Sequence, residues 1–149
     1  MGEYRTILLA EDQPDEAFLI GRALHDLGVL NPVSAVTDDF EAIQYLEGKG
    51  KFGDRVAHPF PSLLLLDLKT PFSDGTRILQ WLNRNPSVRK QIVVVVLRAS
   101  TEIPAGQTVS GVDLVLEKPE RFGELQETLR VLKTRWFDKE YSSAQAAHA

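Results

Sequence analysis

What most limits the folds open to this chain is the way its hydrophobic period changes along its length. Five short apolar runs, at 6–10, 32–36, 63–66, 92–97 and 112–116, alternate with stretches whose apolar residues recur every three or four positions. An unbroken apolar run suits a strand covered on both faces, and a three-to-four spacing suits a helix burying one stripe. Their alternation is the pattern of a parallel α/β sheet, because parallel neighbours must be joined by a crossover and a helix supplies it. The runs at 63–66 and 92–97 are pure Leu and Val/Ile, which places them at the centre of the sheet.

Between the runs, Ala17, Ile20, Leu24 and Leu27 mark a first helix that stops near Gly28. Asp38 is placed to cap a second, carrying Ile43 and Leu46, and Ile78, Leu79 and Leu82 mark a third that ends before Pro86. Phe122, Leu125, Leu129, Leu132 and Trp136 form the longest stripe and predict a last helix packed on the core. The polar stretch 48–61, with Gly48, Gly50, Gly53, Pro59 and Pro61, reads as a long solvated surface loop. In 101–111, Pro104, Gly106 and Gly111 make any helix short or irregular.

A length of 149 residues fits one domain, expected over 1–137 with a disordered tail from 138 to 149. The absence of cysteine excludes disulfides, thiolate-bound metals and thiol nucleophiles. A net charge of −4 argues against nucleic-acid binding, which needs a basic face. The longest apolar run is far short of the roughly 20 residues that cross a bilayer, and the N-terminus lacks a signal-peptide pattern. The expectation is a small cytoplasmic domain without nucleic-acid or membrane partners.

The informative charges stand at the strand ends. Glu11 and Asp12 follow the first run, Asp67 follows the third, and Lys118 follows the fifth and precedes Pro119. Ligands of open parallel sheets bind at the carboxyl ends of the strands. If the first and third strands are neighbours, three carboxylates converge there, and their repulsion calls for a hard divalent cation, most simply Mg²⁺. With Lys118 beside them the group suits phosphoryl transfer to a carboxylate, the cationic partners neutralising charge on the phosphoryl oxygens.

These residues resemble the receiver domain of two-component response regulators: Glu11-Asp12, the run Leu63-Leu64-Leu65-Leu66-Asp67-Leu68-Lys69-Thr70-Pro71, Asp74-Gly75, and Lys118-Pro119. The long loop before Asp67 and the chain length resemble the small stand-alone regulators associated with phytochrome-type kinases. The resemblance implies a flavodoxin-like, doubly wound, five-stranded parallel α/β sheet in the order 2-1-3-4-5. It implies that Asp67 accepts a phosphoryl group from a sensor histidine kinase or a histidine phosphotransfer protein. Asp12, Asp67 and the Lys69 backbone carbonyl would bind Mg²⁺, with Glu11 acting through a bound water. Lys118 would contact the phosphoryl group, and its bond to Pro119 is often cis in this family. Output would be altered protein binding rather than enzymatic turnover.

Two positions depart from the family. Arg98 stands where a Thr or Ser is usual, followed by the expected small residue Ala99, and Val115 replaces an aromatic switch residue. Arg98 admits three readings: a phosphoryl ligand, a partner of Asp67 that mimics the active state, or a solvated side chain. Ser100 is a candidate substitute hydroxyl. The departures keep open a degenerate receiver that binds partners without phosphorylation. A phosphatase that uses an aspartyl phosphate would need a second Asp where Lys69 stands, and a flavin carrier would need a phosphate loop where Glu11 and Asp12 stand. His25, His58 and His148 read as solvated surface residues, and the Trp136-Phe137 end of the last helix as a surface for a homodimer.

Overall fold

The computed structural model describes residues 5–68, 75–99 and 111–138. Five strands, β1 (Ile7–Ala10), β2 (Val33–Val36), β3 (Leu63–Leu68), β4 (Val93–Ala99) and β5 (Leu114–Lys118), form one sheet in the order β2-β1-β3-β4-β5. All pairings are parallel, with Ala10 level with Leu66, Asp67 with Leu97, and Ala99 with Lys118. This is the flavodoxin-like order expected from the resemblance.

The helices are α1 (Pro14–Asp26), α2 (Asp39–Glu47), α3 (Gly75–Arg84), a single turn α4 (Pro86–Arg89), and α5 (Leu125–Leu132). Pro14 starts α1 with its φ already suited to a helix, and Gly28 leaves it at a φ of 89°. Asp38 caps α2, its carboxylate accepting from the Glu41 N–H at 2.8 Å. The last helix runs on from α5 through a π-helical turn, Lys133–Phe137.

Because strand side chains alternate, each strand feeds two cores. Ile7, Leu9, Leu63, Leu65, Val95 and Leu97 pack under α1 and α5 with Ile20, Leu24, Leu125 and Leu129. Leu8, Leu64, Leu66, Val94 and Val96 pack under α2 and α3 with Tyr45, Leu46, Ile78 and Leu82. Phe137 is buried in the first core and Trp136 packs half-buried against it, so that end of the helix is chiefly core.

The stretch 48–61 is more tightly built than its composition predicts. It contains a 3₁₀ turn, Gly50–Phe52, whose Phe52 is buried, and Tyr45, Phe52 and His58 pack ring against ring. Arg55 donates to the carbonyls of Tyr45, Leu46 and His58 at 2.7, 2.8 and 3.1 Å, satisfying the C-terminal end of α2. His58 is therefore a packing residue rather than a solvated one, whereas His25 is exposed as expected. The irregular stretch expected at 101–111 lies, up to 110, outside the described residues. So do His148 and the tail from 139 on.

Candidate functional site

Pleat alternation explains why the charged residues meet. Continuing each strand two positions past its last core residue takes Leu9 to Glu11, Leu65 to Asp67 and Leu116 to Lys118. All three leave the sheet on the α1/α5 face, at its carboxyl edge. Three strand ends thus deliver two acids and one base to a single point, with Glu11 and Asp67 buried.

Lys118 Nζ lies 2.5 Å from Asp67 Oδ2 and 2.9 Å from Glu16 Oε2, with Glu11 Oε2 at 4.0 Å. The Asp67 side chain is 1% exposed and its Oδ1 is buried without a hydrogen-bond partner among the described residues. Burial works to push the Lys118 ammonium down, but its bonds to Asp67 and Glu16 outweigh that and leave it above its ordinary value. The base is therefore charged at neutral pH. Glu11 Oε1 accepts from the Gln13 N–H at 3.0 Å, which ties the end of β1 to the start of α1.

Oxygens of Glu11, Glu16 and Asp67 come within 4.8 Å of one another. Such an all-oxygen donor set, with one carboxylate oxygen of Asp67 left over, fits a hard divalent cation. Asp12 is exposed and is not part of this group, because consecutive side chains in extended chain point opposite ways and Glu11 takes the inward one. Glu16 takes the third place and was not anticipated. A signal for it does exist in the sequence: Glu16, Ile20, Leu24 and Leu27 fall on one helical stripe, so an acid extends the buried face of α1 toward the strand ends. Lys69 and Ser100 lie outside the described residues.

Arg98 follows Val94 and Val96 in the pleat and so leaves the sheet on the α2/α3 face, level with Leu68 and Glu117. It is half-buried and its Nε is buried without a hydrogen-bond partner among the described residues. A standing pair between Arg98 and Asp67 is therefore absent, the carboxylate being taken by Lys118, and the wholly solvated reading fails as well. Ala99 closes β4, and Val115 packs half-buried against the α2/α3 core. The Lys118–Pro119 bond, often cis in this family, is trans here, the form that X–Pro bonds favour intrinsically.

A five-stranded 2-1-3-4-5 sheet with acids and a lysine at its carboxyl edge defines a receiver, and the chain belongs to the response regulator receiver domain family, whose pattern it matches over residues 7–130. Proteins of this family are in general signalling proteins. The chain is similar to the probable methanogenesis regulatory protein FilR2 of Methanothrix harundinacea, 32% identical over 134 residues that span 87% of this chain and 82% of that one. Among solved structures it resembles response regulator RPA3017, in red light signaling of R. palustris, at 25% identity and TM-score 0.78, covering 90% of this chain and 94% of that one. It also resembles the phosphorylated cyanobacterial phytochrome response regulator RcpA, at 28% identity and TM-score 0.75, covering 91% and 96%. The Mn(2+)-bound form of response regulator Rcp1 matches at 26% identity and TM-score 0.71, covering 89% and 94%. The likeness to phytochrome-type regulators, expected from the sequence, is borne out by these structures.

Proposed function

We propose that the chain is a phosphoacceptor, taking a phosphoryl group on Asp67 from the phosphohistidine of a sensor histidine kinase or of a histidine phosphotransfer protein. It signals by changing which proteins it binds. The supporting observation is a charged Lys118 ammonium 2.5 Å from Oδ2 of a buried carboxylate whose other oxygen has no hydrogen-bond partner among the described residues. In the transfer a lone pair of an Asp67 oxygen forms the new O–P bond while the P–N bond breaks, and the histidine nitrogen keeps that electron pair. Lys118 already stands where charge collects on the phosphoryl oxygens and neutralises part of it without reorganising.

In this proposal Asp67 holds Mg²⁺ with the Lys69 carbonyl and with Asp12, which lies outside the Glu11–Glu16–Asp67 oxygen cluster and turns inward to the ion, while Glu11 acts through a water. When bound, the ion adds charge neutralisation at the phosphoryl oxygens. The acidic cluster supports a divalent cation, as does the Mn(2+)-bound form of the similar Rcp1. Arg98 is the switch ligand, reaching round the end of β4 to a phosphoryl oxygen with its Nε–H, which has no hydrogen-bond partner among the described residues, and Ala99 and Val115 complete the switch. The receiver unit is taken as 1–137, working in the cytoplasm. A second copy would meet it through the half-buried Trp136, beside which Arg135 lies 5.1 Å from the ring.

Phosphoramidate with Mg²⁺ is expected to add one phosphate mass to the wild type and none to Asp67→Asn, as read by intact-protein mass spectrometry. An unmodified wild type under these conditions sinks the proposal and leaves the degenerate, phosphorylation-independent binding module.

A further inference from the structure

We infer that Glu16 is a positioning residue of the phosphoryl site, holding Lys118 in the unmodified protein and competing with an incoming phosphoryl group for the same ammonium. This rests on Asp67 being the phosphoacceptor, and it adds a residue to the site that the strand-end pattern does not contain.

Glu16 comes from the first turn of α1, whose start is fixed by Pro14 and by the Glu11 bond to the Gln13 N–H. It reaches Lys118 across 102 sequence positions, accepting from Nζ at 2.9 Å. A lysine ammonium has three N–H donors. One goes to Asp67 Oδ2 and one to Glu16 Oε2, so Glu16 fixes the direction in which the ammonium meets Asp67.

The same geometry sets up the competition. Glu16 and Asp67 present oxygens within 4.8 Å of each other. A phosphoryl group on Asp67 adds negative charge and strong acceptors at that spot, so it attracts Lys118 and repels Glu16. Glu16 is also the carboxylate with room to yield. Its side chain is 39% exposed, against 0% for Glu11 and 1% for Asp67. It lines a cleft of about 200 Å³ between α1 and the chain after β5, together with Leu19, Pro119 and Leu125. Occupancy of the site is thereby reported to α1, on the face opposite Arg98.

The test is a titration with beryllofluoride, an anionic stand-in for the phosphoryl group, at saturating Mg²⁺, with bound fluoride read by fluorine NMR. Glu16→Gln keeps a hydrogen-bond acceptor of the same size and removes the charge. It is expected to tighten binding about three- to tenfold, the scale of one partly solvated like charge at this distance. Glu16→Asp keeps the charge and returns the affinity toward wild type, which a role in packing alone would not do. Equal or weaker binding by Glu16→Gln overturns the inference. A wild type that binds no beryllofluoride overturns it together with the phosphoacceptor proposal, whereas a responsive wild type with an unaltered variant overturns this inference alone.

Discussion

At the scale of single residues, two charged groups differ instructively in what their surroundings do to them. Lys118 is raised above its ordinary value of 10.5 because two carboxylates outweigh its burial. On the lysine's side its contribution to stability is complete below 10.5 and is lost as pH rises beyond that, for as long as the two carboxylates stay ionised. Glu41 is held at about 2, below its ordinary 4.5, by the Lys51 ammonium and by the hydroxyl and N–H of Thr37. With the sign reversed, its contribution is complete above about 4.5 and is lost as pH falls from there toward about 2. Glu41→Gln, which keeps an acceptor for Thr37 but removes the charge facing Lys51, is expected to cost up to about 1 kcal/mol at neutral pH. It also flattens the acid limb of stability against pH in denaturant melts, and an unchanged acid limb counts against this assignment. Residue identity alone pointed to Asp67 and Lys118, since one directly follows an apolar run and the other stands two residues past one. It could not say that Arg98 makes no standing pair with Asp67, because that depends on which face of β4 it leaves and on Lys118 already occupying Asp67.

Among the elements, the stretch between α2 and β3 departs most from expectation, and the reason is long-range satisfaction of backbone groups. Glycines and prolines at 48–61 spell a loop, and nothing local announces that Arg55 will bind the carbonyls of Tyr45 and Leu46. Gly48 is where the two meet. Its φ is 67°, and a Cβ there would stand 2.6 Å from Arg55 Nε. Gly48→Ala is expected to destabilise the protein by roughly 1–2 kcal/mol, from a left-handed backbone that alanine resists and a displaced Arg55. Thermal melts of this variant, set against an Ala substitution at the unobstructed Gly21, would check it, and equal midpoints would contradict it. The helices themselves were legible because their stripes and caps are local: Asp38 caps α2 and Gly28 ends α1 where spacing placed them.

For the molecule as a whole, the carboxyl edge of the sheet concentrates negative charge that folding alone does not neutralise. A divalent cation that binds there only in the folded state must stabilise it by mass action, about 2.7 kcal/mol at a hundredfold excess over Kd. Mg²⁺ is expected to raise the thermal midpoint of the wild type, chelation to reverse the rise, and Asp67→Asn to diminish it. A midpoint indifferent to Mg²⁺ would exclude a tight site. The sequence by itself determined the parallel α/β class, the strands, and the acids and lysine at their ends. Hydrophobic period and chain order are local properties, and a parallel sheet points every strand's carboxyl end the same way. Only the tertiary structure decided which charges touch. It brought Glu16 to Lys118, left Asp12 outside the oxygen cluster, and sent Arg98 to the opposite face from Asp67. Those outcomes depend on the angle of α1 against the sheet and on the register between β3, β4 and β5, which no stretch of the chain contains alone.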